Sequence, residues 1–212
     1  MKLLVASFNK KKLLELQTIL KIFFDSLAQK DILVNLVSLE SFPRVREVEE
    51  DGLTFEENAE KKSLGYAKQT GLLTFAEDSG LSIDALGGKP GVYSARFAGE
   101  GKNDLDNCRK VIELIKDLPE EKRTARFESA VSIASPDAVL GTVRGAVEGV
   151  VIPELRGSGG FGYDPLFFYP PFQKTLAEVS AELKNTISHR KKAIELSQPI
   201  ISKYFMSRYK KS

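Results

Sequence analysis

The sequence predicts an α/β protein, and three observations carry that prediction. Residues 3–7 form a short apolar run, a helical pattern follows at once, and a second strand pattern spans 32–37. A strand, a helix and a strand in that order build a sheet layered with helices. The third observation is composition. At 212 residues, 42% hydrophobic and 28% charged, the chain can bury a sizeable core and is not of the disordered type.

In the first helical pattern Leu13, Leu16, Leu20 and Phe23 share one face. After strand 32–37 comes an acidic turn, Glu47-Val48-Glu49-Glu50-Asp51-Gly52. The spacing then predicts a helix over 54–70. Thr54 with Glu57 three residues on is a capping box, Glu57 and Lys61 are a favourable i,i+4 pair, and Gly71 suits the end of the helix. Residues 72–76 read as a third apolar strand. From Glu77 to Gly101 the glycines at 80, 87, 88, 91, 99 and 101, with Pro90, predict mostly loop. A helix is expected over 104–116, with Leu105, Cys108, Ile112 and Ile115 on one face. Strands 125–134 and 139–152 flank Ser135-Pro136-Asp137 and read as a hairpin. Residues 156–171 form a second Gly- and Pro-rich loop, followed by a short helical pattern at 176–181 and a helix after Thr186, interrupted near Pro199. No repeat or long linker appears, so 1–212 reads as a single domain.

Composition excludes several kinds of chemistry. One Cys cannot make an internal disulfide, and one Cys with one His excludes a structural zinc site and the two-His zinc-protease helix. The 31 Lys and Arg against 29 Asp and Glu give +2, no general electrostatic reason to bind nucleic acid or a membrane surface. No apolar run approaches the roughly 20 residues of a membrane span. With no targeting segment visible, the cytoplasm is the expected compartment. The work falls to carboxylates, hydroxyls, amides and single basic groups.

Four loops carry that chemistry. Ser7-Phe8-Asn9-Lys10-Lys11-Lys12 joins a strand end to a helix N-terminus, where free N–H groups and three lysines suit a phosphate; an Asn-capped turn with solvated lysines is the plainer alternative. Ala76-Glu77-Asp78-Ser79-Gly80 places two carboxylates and a hydroxyl after a strand, a set that suits a divalent cation or an activated water. The acidic turn Glu47 to Asp51 offers more oxygen ligands, although a solvated turn accounts for it unaided. Gly157, Gly159 and Gly162 have the spacing of a dinucleotide fingerprint, which is rejected because Pro165, Pro170 and Pro171 forbid the helix it opens. In that loop Phe161 and Tyr163 offer flat faces to a base. The segment Lys184-Asn185-Thr186-Ile187-Ser188-His189-Arg190 starts the last helix, with Ser188 as N-cap and two basic residues where the dipole disfavours them, unless an anionic ligand is held there. No P-loop motif occurs.

Together these segments resemble one family, the inosine/xanthosine triphosphate pyrophosphatases. The resemblance lies in Ala6-Ser7-Phe8-Asn9 with Lys12; Glu49-Glu50-Asp51-Gly52 with Thr54-Phe55 and Glu57-Asn58-Ala59; and Ala76-Glu77-Asp78-Ser79-Gly80-Leu81. It continues in Leu86-Gly87-Gly88 with Pro90-Gly91-Val92-Tyr93-Ser94-Ala95-Arg96-Phe97, in Gly159-Gly160-Phe161-Gly162-Tyr163-Asp164-Pro165, and in Ser188-His189-Arg190. The family implies a two-lobed α/β fold, a mixed β-sheet with flanking helices and the active site in the cleft between lobes, usually as a homodimer. It implies a Mg²⁺-dependent enzyme that cleaves non-standard purine nucleoside triphosphates (dITP, ITP, XTP) to the monophosphate and pyrophosphate, clearing them from the nucleotide pool. Carried over by position, Ser7, Phe8, Asn9, Lys10, Lys11 and Lys12 hold the triphosphate, with Lys62 as a further phosphate contact. Asp78 is the general base and a metal ligand, and Glu50 or Glu49, with Glu77, contributes to the Mg²⁺ site. Ser79, Phe161, Gly162, Tyr163, Asp164, Lys184, His189 and Arg190 bind the nucleotide. Three departures from the family pattern stand out: Ser7 where Thr is common, Phe8 where the residue is often small, and Glu77 where Asp is frequent. The alternatives are a septum-inhibitor-like nucleotide pyrophosphatase with another base preference, and a non-catalytic nucleotide- or nucleic-acid-binding protein. The basic C-terminal residues Lys191, Lys192, Lys203, Arg208, Lys210 and Lys211 raise the latter, but a solvated helix face and tail accounts for them, since the whole chain carries only +2.

Overall fold

The computed structural model describes residues 1–29, 31–101 and 103–209; Lys210, Lys211 and the side chains of Lys10 and Lys11 lie outside the described residues. Strand β1 (Lys2–Ala6) is buried beyond its first residue and lies between two parallel neighbours, β2 (Asn35–Ser38) and β3 (Leu73–Ile83). Helix α1 (Lys10–Ala28) connects β1 to β2, burying Leu16, Leu20 and Phe23 as their periodicity predicts. Strand β2 begins later than the sequence suggests. Ile32 is buried ahead of it, and its N–H closes the end of α1 by donating to the Leu27 carbonyl at 3.1 Å.

Helix α2 (Phe55–Thr70) starts on Thr54, whose Oγ1 accepts the Glu57 N–H at 3.1 Å, and ends at Gly71. The Glu57 carboxylate reaches past Thr54 to the Leu53 N–H, 2.7 Å away. Lys61 pairs with Asp51 of the acidic turn, where the spacing suggests Glu57.

The largest departure is in β3. The sequence predicts a strand that stops at Ala76, yet β3 continues to Ile83, so Glu77, Asp78, Ser79 and Gly80 lie inside a strand. Gly80 marks a close approach and no turn. A Cβ there would fall 2.7 Å from the Gly91 carbonyl oxygen and onto Ser94 Oγ, which accepts the Leu81 N–H at 2.9 Å.

Strands β4 (Thr124–Ala134) and β5 (Val139–Val151) follow, then the short β6 (Phe167–Tyr169) and β7 (Lys174–Thr175). The seven strands form one sheet in the order β2-β1-β3-β4-β5-β6-β7, with β6 antiparallel to both neighbours. The sheet is therefore mixed, as expected. Helix α3 (Asp104–Ile115) buries Cys108, Val111 and Ile115; Leu105, expected on that face, is 43% exposed because the inward stripe runs through 108, 111 and 115. No helix forms over 176–181. Leu176 and Ala177 are buried outside regular structure, and α4 (Ala181–Ile187) starts on Ser180. Helix α5 (His189–Tyr209) runs through Pro199 unbroken. Burial of Ala193, Ile194, Ile201 and Phe205 outweighs a proline penalty of about 3 kcal/mol. Among the described residues no helix is long and apolar enough to cross a membrane.

The chain divides into two compact units, each with its own core. The first comprises Met1–Asp78, Ser129–Gly145 and Lys192–Ser212, around Leu3, Leu20, Phe75, Ile133 and Phe205. The second comprises Ser79–Glu128 and Ala146–Lys191, around Leu81, Val111, Ile115, Leu166 and Phe167.

Candidate active site

In the first unit the register of two strands assembles the site. Ala6 of β1 lies opposite Ala76 of β3, so the segment from Ser7 leaves the end of β1 beside Glu77 and Asp78, where β3 runs on. That end is where open α/β sheets bind ligands. The first segment is shaped by its own caps: the Asn9 N–H donates to Ser7 Oγ at 3.2 Å, and the Lys12 N–H donates to Asn9 Oδ1 at 3.1 Å. Phe8 is 57% exposed, with its ring edge-on to Tyr66. Lys10 and Lys11 open α1. Lys12 lies near enough to Asp78 to favour its ionised form.

Lys62 stands at the centre of this group, 7% exposed. Its ammonium donates to Glu50 Oε2 and to the Glu77 carbonyl oxygen, both at 2.8 Å, with Asp78 Oδ1 at 3.6 Å. One turn earlier on α2, Asn58 takes the Gly52 N–H on its Oδ1 at 2.7 Å and donates from Nδ2 to Asp78 Oδ2 at 3.1 Å. One helix face thus ties the acidic turn to the strand carboxylate. Burial pushes the Asp78 carboxyl above its ordinary range; Lys62, Lys12 and the Asn58 hydrogen bond oppose that shift, and Glu50 reinforces it. For Lys62 burial acts downward, but Asp78 and Glu50 outweigh it and raise the pKa above the usual lysine value. Lys62 is therefore an ammonium ion at neutral pH.

The four acids expected at a metal site are not equivalent. Glu50 and Asp78 both face Lys62. Glu77, next to Asp78 in an extended strand, projects to the opposite face, where its Oε1 accepts the Ser129 hydroxyl at 2.8 Å. Glu49 is exposed between half-buried Val48 and Glu50. The expected pair of adjacent carboxylates at 77 and 78 thus gives way to a pair assembled across the sequence. Among the described residues no group of three or more His, Cys, Asp or Glu is placed to hold a metal. Two carboxylates around a buried cation do fit Mg²⁺, which takes one or two carboxylates and completes its shell with water and substrate oxygens.

In the second unit the loop from Gly157 to Pro165 is held without a helix. Asp164 Oδ2 accepts the Phe161 N–H at 2.9 Å and the Lys184 ammonium at 2.6 Å, in a buried ion pair. Gly162, at φ 61°, is gripped at both ends of its backbone: its N–H donates to Asp104 Oδ2 at 2.9 Å and its carbonyl accepts Cys108 Sγ–H at 3.4 Å. Asp104 and Cys108 are one turn apart on α3. Lys184 Nζ and the Arg190 guanidinium lie 4.7 and 5.8 Å from the Phe161 ring centre. Arg190, 1% exposed, also donates to Ser79 Oγ at 3.3 Å. The buried His189 ring stacks on Phe127 with centres 5.1 Å apart, and Ser188 caps α5 by accepting the Lys191 N–H. Tyr163 does not offer the flat face expected of it. Its ring belongs to the core and its hydroxyl donates to the Ser94 carbonyl at 2.8 Å, so half-buried Phe161 is the ring of this loop that a base can reach.

All these residues fall within the span 3–199 that matches the sequence model of the Ham1 family. The chain belongs to the Ham1 family. A relative of this Ham1 chain, the dITP/XTP pyrophosphatase of Desulforamulus reducens, is 47% identical over 206 residues, covering 97% of this chain and 98% of that one. The dITP/XTP pyrophosphatase of Geobacter sulfurreducens is 48% identical over 195 residues, covering 92% and 94%. The solved structure of a HAM1 protein from Coxiella burnetii matches with a TM-score of 0.83 at 36% identity, over 96% of this chain and 99% of that one.

Four residues of this candidate site have no role assigned from the sequence: Asn58, which the family-like segment at 57–59 contains, and Asp104, Cys108 and Phe127. For Asn58 a signal exists, since it precedes Lys62 by one turn on the face that carries Phe55, Ala59 and Tyr66 inward. Asp104, Cys108 and Phe127 act on partners more than 50 residues away, and no local pattern announces them.

Proposed function

We propose that this chain hydrolyses the non-standard purine nucleoside triphosphates dITP, ITP and XTP to the nucleoside monophosphate and pyrophosphate, with Mg²⁺ as cofactor. One observation carries the reading. A pair of carboxylates around a buried lysine ends at Asp78, and a basic, aromatic group begins at the next residue, Ser79. The first suits phosphoryl chemistry and the second suits a purine. The relatives named dITP/XTP pyrophosphatase support the substrate class.

Asp78 is the general base, taking a proton from the water that attacks the α-phosphorus, and Asn58 orients it. Lys62, Lys12 and the start of α1 bind the triphosphate. Mg²⁺ held by Glu50 and Asp78 supplies neutralisation of charge on the phosphate oxygens. Phe161 gives the base a ring to stack on. His189, Arg190 and the loop amides supply donors to the purine 6-oxo group, which a 6-amino group leaves unpaired. A cytoplasmic homodimer acting on the nucleotide pool, without nucleic-acid or membrane partners, completes the reading.

A substrate panel with and without Mg²⁺ tests it. Pyrophosphate release is expected from ITP, dITP and XTP, with kcat/KM for ATP, whose base carries the 6-amino group, lower by on the order of 100-fold or more. Comparable turnover of ATP removes the specificity, and no turnover of any triphosphate removes the activity.

A further inference from the structure

We propose that Lys62 is a tethered competitor of the metal: its ammonium neutralises Glu50 and Asp78 until a triphosphate draws it away, so a divalent cation binds tightly only together with the nucleotide. The inference rests on the pyrophosphatase reading of the same site. Its basis is geometric. The two carboxylates left to a metal are the two that Lys62 already faces, at 2.8 and 3.6 Å. Glu77 is turned to Ser129, and Glu49 is exposed. A divalent cation held by Glu50 and Asp78 would share them with a second positive charge, the Lys62 ammonium, which is buried beside Asp78, where repulsion is screened less than at the open surface.

Lys62 is also held in place. The Glu77 carbonyl takes a third share of its ammonium at 2.8 Å, and the side chain is buried along its length. Lys12 also lies near enough to Asp78 to favour its ionised form. What releases the ammonium is therefore an anion able to accept it, and a triphosphate offers oxygens to Lys62 and to a metal at once. A lysine on a flexible four-carbon stem with three donors can make that exchange without moving its helix. Metal and nucleotide binding then favour each other, and by linkage the preference is mutual.

Titration of the whole protein with Mn²⁺ alone, in the absence of nucleotide, tests the inference by calorimetry or by the paramagnetic resonance of the free ion. Lys62→Met and Lys62→Gln are expected to bind Mn²⁺ about tenfold or more tightly than the unaltered protein, and Lys62→Arg, which keeps the charge, to bind it no more tightly. The Met variant is expected to bind ITP more weakly, the opposite direction. A merely structural role would weaken both. Thermal unfolding in EDTA establishes that each variant is folded, and the Gln variant, which keeps a donor for the Glu77 carbonyl, decides if the Met variant is not. Unchanged or weaker Mn²⁺ binding in the folded neutral variants overturns the proposal. Failure of the substrate reading would show separately, as an unaltered protein with no triphosphate turnover, and leaves the Mn²⁺ titration to decide the role of Lys62.

Discussion

Asp78 and Asp51 are both aspartates beside a lysine, and their environments drive them apart. Asp51 is solvent-exposed, and the hydrogen bond from Lys61 pulls its carboxyl below the ordinary range. Asp78 is buried, and desolvation pushes its carboxyl up despite Lys62. The sign follows for acidification of the metal-free protein. Asp78 takes up its proton first, above the free-aspartate value of about 3.9, and Asp51 takes it up last, below that value. A ¹³C titration of the side-chain carboxyls checks the order. The same residue carries the catalytic expectation. Asp78→Asn keeps the shape and an acceptor for Asn58, so the variant is expected to fold and its kcat to fall by about 10²- to 10⁴-fold. Near-full activity would remove Asp78 from the role of base.

At the scale of elements, α3 acts as a brace for the loop that carries Phe161. Its carboxylate and thiol at 104 and 108 hold both polar groups of the Gly162 backbone. Asp104→Ala is expected to speed amide hydrogen exchange in peptides spanning 157–165 and to raise KM for ITP by about tenfold, roughly the 1–1.5 kcal/mol of one hydrogen bond, with little change in kcat. Asp104→Asn, which keeps the acceptor, should behave like the unaltered protein. Such contacts mark where legibility stops. Helices α1 and α2 are readable because their signals are local: a 3.6-residue stripe at Leu16, Leu20 and Phe23, and a cap at Thr54. The extension of β3 is not, because Gly80 reads as a turn until Ser94 and Gly91 are seen against it. That one misreading also hides which acids share a face, since only a continuing strand sends Glu77 and Asp78 to opposite sides.

For the whole molecule, the six family-like segments made the chemistry and the residue types legible in order. Which of them meet depends on strand register and on contacts distant in sequence, such as Ser79 with Arg190. Nucleotide binding is expected to stabilise the fold as a whole. In the Asp78→Asn variant, which does not consume its ligand, ITP at 100 times its Kd should add about 2.7 kcal/mol and raise the thermal midpoint by roughly 5–10 °C. ATP at the same concentration should raise it by much less, and an equal rise with both would count against purine discrimination in binding.

The boundary between the two units falls inside β3, between Asp78 and Ser79, and each unit is stitched from separate stretches of chain. Neither is a contiguous fragment that a gene could duplicate, lose or exchange alone. On the proposed reading, the hydrolytic residues and the base-reading residues are inherited as one piece. A change of base preference is then expected to come from changes within this one chain around Phe161, Lys184 and Arg190, with Glu50, Lys62 and Asp78 retained.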